Sequence, residues 1–414
     1  MNLSDCDQDK ARLLSESEAL DILLSETAAI TTIEELATDL ALGRVLAHTL
    51  TAPIDVPAFD NSAMDGYAVN SRDIAAEGEI CLPVSQRIAA GHPGTALAPG
   101  TAARIFTGAP LPPNADAVVM QEQCRAVDGK VYLRGPIRSG LHVRPAGEDI
   151  RQGSDVLAAG THMRPQEMGL AASLGIARLP VFRRIRVAVL VTGDELLEPG
   201  EPPAPGKIYD SNRYLLTGLL KTLGCQIIDP GIIPDCFDAT VAALEQAAKE
   251  ADLILGSGGV SVGEEDHVKT AIEHLGELAL WRIAVKPGKP LTYGNIGGTP
   301  VMGLPGNPVS LLITFCLFAR PLILRLQGRR RLTPTVIRAR AAFERCNAIP
   351  RREYLRARMT IGTDGETTAT LYPQQGSAVL SAACWADCLA IVPADSTISP
   401  GETIDIIPFN ELFF

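Results

Sequence analysis

The stretch that decides the fold is RVAVLVTGDEL, residues 186–196. Val187-Ala188-Val189-Leu190-Val191 is apolar throughout, with β-branched residues at alternate positions, and reads as a strand buried on both faces. It runs directly into a polar turn, Thr192-Gly193-Asp194-Glu195. Three further runs in the same segment end in the same way. Asp252–Leu255 leads into Gly256-Ser257-Gly258-Gly259-Val260-Ser261-Val262-Gly263-Glu264-Glu265-Asp266. Leu278–Val285 leads into Lys286-Pro287-Gly288-Lys289-Pro290, and Pro300–Leu304 into Pro305-Gly306-Asn307-Pro308. Between them lie helical patterns at 211–223, stopped by Gly224, at 239–249 behind an N-cap at Asp238, at 266–275, and over the long apolar stretch 308–326. Cys225–Ile228 adds a short strand. Strands alternating with helices specify a parallel, doubly wound α/β sheet covered on both faces. In such a sheet ligands bind beyond the carboxyl ends of the strands, so the four polar loops share one rim.

Outward from this segment the texture changes on both sides. Ser15 and Glu18 form a capping box ahead of Ala19, Leu20, Ile22, Leu23 and Leu24, and a second helical stretch is expected from about Ile33 to Ala47, interrupted by Gly43. From Thr51 to about Pro165, glycine and proline recur every few residues around short apolar runs at 102–106, 117–120, 130–133 and 155–157. That spacing argues for short strands and tight turns. A short helix over 168–176 closes at Gly175. After Thr333, five short strands at 336–340, 354–359, 367–371, 388–392 and 403–407 suggest a small barrel or open sheet.

Composition bounds the function. The 414 residues suffice for roughly three domains, and 46% hydrophobic with 21% charged residues is ordinary for a chain with a real core. Formal net charge is −11, from 37 basic and 48 acidic residues, which disfavours nucleic acid and anionic membranes as partners. The basic cluster Arg329-Arg330-Arg331 reads as a solvated linker at a domain junction. No apolar run of membrane-spanning length is apparent, and MNLSDCDQDKARLLSESE lacks the basic-then-apolar order of a secretory signal. Nine scattered cysteines without a CxxC pair fit a reduced, cytoplasmic chain better than a disulfide scaffold or a zinc site.

The loops carry the candidate chemistry. The glycine-rich loop 256–263 can present backbone N–H groups to a phosphate through Gly258, Gly259, Ser261 and Gly263, or it can be a plain strand-to-helix turn. In KPGKP, Lys286 and Lys289 sit three apart between prolines, which stiffens the loop and suits two compact cations to phosphate or oxyanion. Asp194, Glu195 and Asp266 would set carboxylates beside those cations, sensible if Mg²⁺ lies between them and a phosphate, or else each caps a helix. The segment PAFDNSAMDGYAV, 57–69, holds more polar side chains than a turn requires.

Taken together these segments resemble the MoeA type of molybdopterin molybdenumtransferase, the family that includes the E domain of gephyrin. The resemblance runs through 57–69, TGAPLPPNADAVVMQEQ (107–123), RPAGEDI (144–150), TGDEL (192–196), YDSN (209–212), GSGGVSVGEEDHVK (256–269), VKPGKP (285–290), GLPGNPVS (303–310) and PQQGS (373–377). It implies four domains: a helical linker region from 1–50 and 146–182, an inserted β domain over 51–145, a MogA-like molybdopterin-binding α/β domain over 183–330, and a C-terminal β-barrel over 331–414. It also implies a homodimer whose active site is shared between subunits, Mg²⁺ dependence, and molybdate with adenylylated molybdopterin as substrates. Carried over residue by residue, Asp60, Thr107 and Asp149 would line the cleft from the partner's side, and Glu195, Asp235 and Asp266 from the α/β domain, with Asp266 and Glu195 as metal ligands. Lys286 and Lys289 would hold phosphate or oxyanion, Pro305 and Asn307 would line the substrate loop, and Arg356 and Ser377 would serve the oxyanion or pterin end. His267, Val268, Ala378 and the run Trp385-Ala386-Asp387-Cys388 depart from the family pattern. Two other functions fit parts of the same reading: a molybdopterin adenylyltransferase, which shares the α/β domain and is a possible transient partner, and a gephyrin-like scaffold without catalysis.

Overall fold

The computed structural model describes residues 13–74, 77–258, 267–288 and 290–413. They form two compact units. One comprises residues 35–42 and 48–180; the other comprises the described residues before 35, residues 43–47 and those from 181 onward.

The capping box at the amino terminus forms as expected. Ser15 Oγ accepts the Glu18 amide at 3.2 Å while the Ser15 amide donates to the Glu18 carboxylate at 2.8 Å, opening α1 (Glu16–Ser25). Ala19 and Leu23 then enter the core beneath the α/β sheet. The helix expected over 33–47 does not form. Residues Ile33–Ala37 are a strand, β1, and Thr38–Leu40 a single 3₁₀ turn. The apolar spacing of Ile33, Leu36 and Leu40 mimics a helix face, but Leu40 stays 62% exposed, so no packed surface rewards that face. The β-branched run Thr31-Thr32-Ile33 instead favours extended backbone.

In the smaller unit six strands pair in the order β5-β2-β4-β3-β7-β6, where β2 is Gly66–Val69, β3 Gly78–Ile88, β4 Ala102–Ile105, β5 Ala117–Met120, β6 Arg125–Val127 and β7 Lys130–Gly135. The central strand β2 is buried on both faces: Tyr67 and Val69 point into one apolar cluster and Ala68 into another. α2 (Pro165–Ser173) follows, and Gly175 turns the chain beyond it.

The α/β sheet has the order β9-β8-β10-β13-β12-β11, with β8 Arg186–Thr192, β9 Gln226–Ile228, β10 Leu253–Ser257, β11 Glu277–Arg282, β12 Pro290–Ile296 and β13 Thr299–Leu304. Val187, Val189 and Val191 pack on one side and Ala188 and Leu190 on the other, as an all-apolar central strand requires. The sheet is not wholly parallel. β12 runs antiparallel to both β11 and β13. Its cause is local: Gly297 and Gly298 both hold positive φ, 57° and 96°, between the paired residues Ile296 and Thr299. Two consecutive positive-φ residues make the tight turn that closes a hairpin and forbids a crossover.

Helices α3 (Asn212–Thr222), α4 (Phe237–Glu250), α5 (His267–Leu275) and α6 (Pro308–Leu326) cover the sheet. α4 starts two residues earlier than expected: Cys236, not Asp238, is the N-cap, and Asp238 falls inside the first turn. α6 contains a π turn at Phe315–Ala319. Contrary to the expectation that no run reaches membrane-spanning length, this 19-residue helix has the length and, with a mean hydropathy of 1.9, the composition of a membrane span. Some 94% of that stretch is buried inside the protein, so the apolar surface belongs to the core.

The last five strands are β14 (Ile337–Ala341), β15 (Arg352–Ile361), β16 (Thr367–Leu371), β17 (Cys388–Val392) and β18 (Thr403–Pro408). They pair in the order β15-β16-β14-β18-β17, and β17 returns to β15, closing a five-stranded barrel. A two-residue strand, Val285–Lys286, pairs with the first residues of β15 and sets Lys286 opposite Glu353.

Candidate active site

Three loops of the rim approach one another closely. A Cβ on Gly258 would lie 3.3 Å from the Thr192 carbonyl oxygen, and one on Gly306 would lie 4.0 Å from Gly258 Cα. Asn212, at the start of α3, ties two of them together: its Nδ2 donates to Ser257 Oγ at 2.9 Å and to the Gly306 carbonyl at 2.6 Å. Its Oδ1 is buried without a partner among the described residues. Asp210, two residues before it, is 2% exposed and anchors the helix start by accepting the Arg213 amide at 3.0 Å. Neither residue figured in the sequence-derived site, although YDSN was part of the motif set.

The acidic side of the rim is exposed. Asp194, Glu195 and Asp235 all face solvent. The Asp235 amide donates to Asp194 Oδ1 at 3.4 Å, while Lys207 donates to the Asp194 backbone carbonyl rather than to its carboxylate. The Glu195 carboxylate folds back over Gly193. No group of three or more metal-ligating side chains is assembled among the described residues. Gly259, Ser261, Gly263, Asp266 and Lys289 lie outside the described residues.

Beyond Pro305 and Asn307 the chain enters α6, whose first N–H groups lead toward a second station. Asn307 is the helix N-cap, and the Val309 amide donates to the Ser377 carbonyl at 2.9 Å. Here, at the seam of α/β sheet and barrel, a cleft of about 320 Å³ is lined by Lys286, Arg345, Arg351, Glu353, Arg356 and Ser377. Arg356 is fully buried. Its Nη atoms donate to the carbonyls of Tyr354 at 3.3 Å and Gly376 at 3.2 Å, and its Nε has no partner among the described residues. Burial pushes the guanidinium down to about 10, which leaves it charged at neutral pH. Gln375 fixes the backbone at this position, accepting the Arg356 amide and donating to the Arg356 carbonyl, both at 2.9 Å.

Lys286 is not the free cation that the loop sequence suggested. Its Nζ lies 3.1 Å from Glu353 Oε1, and Glu353 also accepts two hydrogen bonds from Arg345, each 2.7 Å. The Glu353 side chain is 2% exposed. Burial alone would raise its carboxyl, but the hydrogen bonds from Arg345 and Lys286 hold it below the ordinary glutamate range. Gly288 shapes the loop behind it: with φ at 110°, any Cβ there would collide with Thr314 Oγ1 on α6. Of the residues lining this cleft, Lys286, Arg356 and Ser377 were named from the sequence and Arg345, Arg351 and Glu353 were not, because only strand pairing at 285–286 with 352–353 makes them neighbours.

In the smaller unit, the segments 57–69, 107–123 and 144–150 interlock. Asp60 Oδ1 accepts the Ala146 amide at 2.7 Å, and the Leu111 amide donates to the Asp60 carbonyl at 2.9 Å. Asp65 accepts both the Thr107 amide at 2.8 Å and its hydroxyl at 2.7 Å, which together hold its half-buried carboxylate below its ordinary value. The Asp149 amide donates to the Val56 carbonyl at 3.0 Å. Asp60, Thr107 and Asp149 therefore belong to one knitted surface of that unit, with Asp65 as an unforeseen member.

A doubly wound sheet with a close-packed rim, joined to a barrel through a cation-lined cleft, defines a multidomain enzyme suited to anionic ligands. Known proteins give that class its family. The MoeA N-terminal region (domain I and II) matches residues 14–175, the probable molybdopterin binding domain 188–325, and the MoeA C-terminal region (domain IV) 338–409. A molybdopterin molybdenumtransferase of Haemophilus influenzae is 39% identical over 97% of this chain and 100% of its own length. That of Synechococcus elongatus is 34% identical over 95% of this chain and 99% of its own. Among solved structures, a molybdopterin biosynthesis MoeA protein from Pyrococcus horikoshii superposes with a TM-score of 0.83 at 29% identity, covering 96% of this chain and all of that one. The chain belongs to the molybdopterin molybdenumtransferase family, a family of transferases in molybdenum cofactor biosynthesis.

Proposed function

We propose that the chain inserts molybdate into adenylylated molybdopterin, with cleavage of the phosphoanhydride and release of AMP and molybdenum-bearing molybdopterin. The observation that carries this reading is the Arg356 cleft: a buried guanidinium without an acid partner, beside Lys286 and Arg345, is built for a tetrahedral oxyanion. The rim formed by Thr192, Gly258 and Gly306 takes the phosphate-bearing part of the substrate, and α6 connects the two stations. In this arrangement the chain's own groups act by holding the oxyanion and the pterin substrate at fixed positions, which replaces a bimolecular encounter with a bound one.

Mg²⁺ is part of the proposal. Glu195 and Asp235 offer exposed carboxylate oxygens, and no cation is paired with either among the described residues, so the donor set fits a hard ion that takes few protein ligands. Glu195 and Asp266 are the assigned ligands, Asp266 by the family resemblance alone. When bound, the ion neutralises charge on the phosphoanhydride.

A homodimer with shared sites belongs to the same reading. Its support is the exposed Phe59 and Met64 flanking the Asp60 surface, 49% and 41% accessible, which suit burial by a second copy. A cytoplasmic location fits the eight free thiols among the described residues, and transient contact with a molybdopterin adenylyltransferase would deliver the substrate.

Incubation of the purified protein with adenylylated molybdopterin, Mg²⁺ and molybdate, without ATP, tests the function. AMP release coupled to a product that activates a molybdenum-free apoenzyme is expected. ATP-dependent adenylylation of molybdopterin would identify an adenylyltransferase instead, and inertness a scaffold. Mixing Asp60→Ala with Glu195→Ala protein tests the shared site: each mixed dimer should regain one intact site, and a mixture as inactive as its components would refute the trans-subunit arrangement.

A further inference from the structure

The oxyanion cleft contains one acid, and its position is unusual for a site that must attract a dianion. Lys286, Arg345, Arg351 and Arg356 line the cleft around Glu353 alone, and among the described residues Arg351 has no ion pair at all. Glu353 is 1% exposed. Its carboxylate is therefore poorly screened, and its repulsion of an arriving anion acts through protein rather than water. It accepts from the two cations whose side chains remain reachable by solvent, Lys286 at 40% and Arg345 at 31% exposure. Both cations can therefore reach an arriving anion, but only by giving up hydrogen bonds to a buried carboxylate. The buried Arg356 forms no ion pair with it among the described residues and donates instead to the carbonyls of Tyr354 and Gly376.

Resting on the molybdate reading above, we propose that Glu353 is a positioning residue that holds Lys286 and Arg345 on the cleft wall as a resident competitor of the oxyanion. An incoming oxyanion with two negative charges must draw these cations from a carboxylate already bound to them, whereas Arg351 and Arg356 engage it without competition. Glu353 thus weakens binding of every oxyanion while fixing where Lys286 delivers its charge. The shape of the strand pairing enforces this, because Lys286 and Glu353 are in register across Val285–Lys286 and the start of β15. Affinity and turnover should then respond in opposite directions when the carboxylate is neutralised. A purely structural glutamate would lower both.

The experiment is calorimetric titration of the full chain with molybdate, sulfate and phosphate, each alone, followed by steady-state turnover with adenylylated molybdopterin. For Glu353→Gln, oxyanion binding should tighten by about fivefold, the loss of one poorly screened like charge, while kcat falls. Glu353→Asp keeps the charge but shortens the reach, so its affinity should stay within about twofold of wild type while kcat still falls. It also tests the idea if the glutamine variant does not fold. Weaker or unchanged binding by folded Glu353→Gln, or tighter binding by Glu353→Asp, overturns the proposal. The parent reading fails separately: wild type that binds no molybdate, or whose binding is indifferent to Arg356→Met, removes the oxyanion from this cleft altogether.

Discussion

The rim and the seam cleft handle charge in opposite ways. At the rim, Asp194, Glu195 and Asp235 are exposed acids without cationic partners among the described residues. In the cleft, the buried Glu353 is matched by Lys286 and Arg345, whereas the buried Arg356 has no acid partner among the described residues. An exposed, unpaired carboxylate costs the fold little, because water solvates it, and its partner can arrive from solution. A buried charge must have its partners supplied by the fold, or it destabilises the native state by several kcal/mol. The rim therefore leaves its acids to partners from solution, whereas in the cleft the fold itself matches the one acid and leaves a buried cation, Arg356, for an anion to meet.

That contrast breaks most readily at the rim. Glu195→Gln and Asp235→Asn should leave stability nearly unchanged while turnover at saturating molybdate falls by about 100-fold or more, since a bound ion contributes several kcal/mol to transition-state charge neutralisation. Raising Mg²⁺ should recover part of the loss for a ligand variant. A parallel drop in melting temperature would instead mark these acids as structural. In the cleft, Arg356→Met should weaken molybdate by about 10- to 100-fold, the worth of ~1.5–3 kcal/mol for a hydrogen bond to a charged group. Here the melting temperature should hold or rise, because a buried guanidinium without an acid partner is replaced by an apolar chain. Unaltered molybdate affinity in that variant would take Arg356 out of the oxyanion station.

A smaller effect separates the loop from its charges. Gly288→Ala introduces a Cβ at a φ of 110°, directly against Thr314 Oγ1, which is itself buried without a partner among the described residues. The expected cost is about 1–3 kcal/mol for the strained backbone, read as a lower urea midpoint. Pairing the substitution with Thr314→Ala should recover the steric part and leave the backbone part. A fully wild-type midpoint in Gly288→Ala would show that the loop does not press on α6.

Legibility in the sequence follows the same division. The central strand 186–192 announced itself because burial on both faces demands an unbroken apolar run, and the rim loops followed from it. The capping box at Ser15 was readable because all its partners lie within one turn. The strand at 33–37 was not, since its apolar spacing also fits a helix and only tertiary packing decides between them. The antiparallel β12 was recorded in Gly297-Gly298, a signal two residues long beside a motif that drew more notice. The cleft was half legible: Lys286 and Arg356 sit in recognisable segments, but Arg345, Arg351 and Glu353 read as ordinary surface charge. Their meeting depends on closure of the barrel and on one short parallel pairing, both contacts distant in sequence.

The finest test concerns protons. Glu353 titrates lower when folded than the ordinary value of 4.5, because hydrogen bonds from Arg345 and Lys286 outweigh its burial. A carboxylate with a depressed folded value contributes stability that is fully present above its unfolded value and is lost as pH falls through the folded one. Unfolding free energy measured in urea should therefore decline below about pH 4.5 with a slope that Glu353→Gln reduces. Asp65 is the control within the same molecule. Its carboxyl is lowered by the Thr107 amide and hydroxyl, yet it belongs to the smaller unit, and Asp65→Asn should leave the acid slope of the larger unit intact. If the two substitutions flatten the profile equally, the buried network has no special hold on its proton, and the distinction drawn between cleft and rim reduces to one of position.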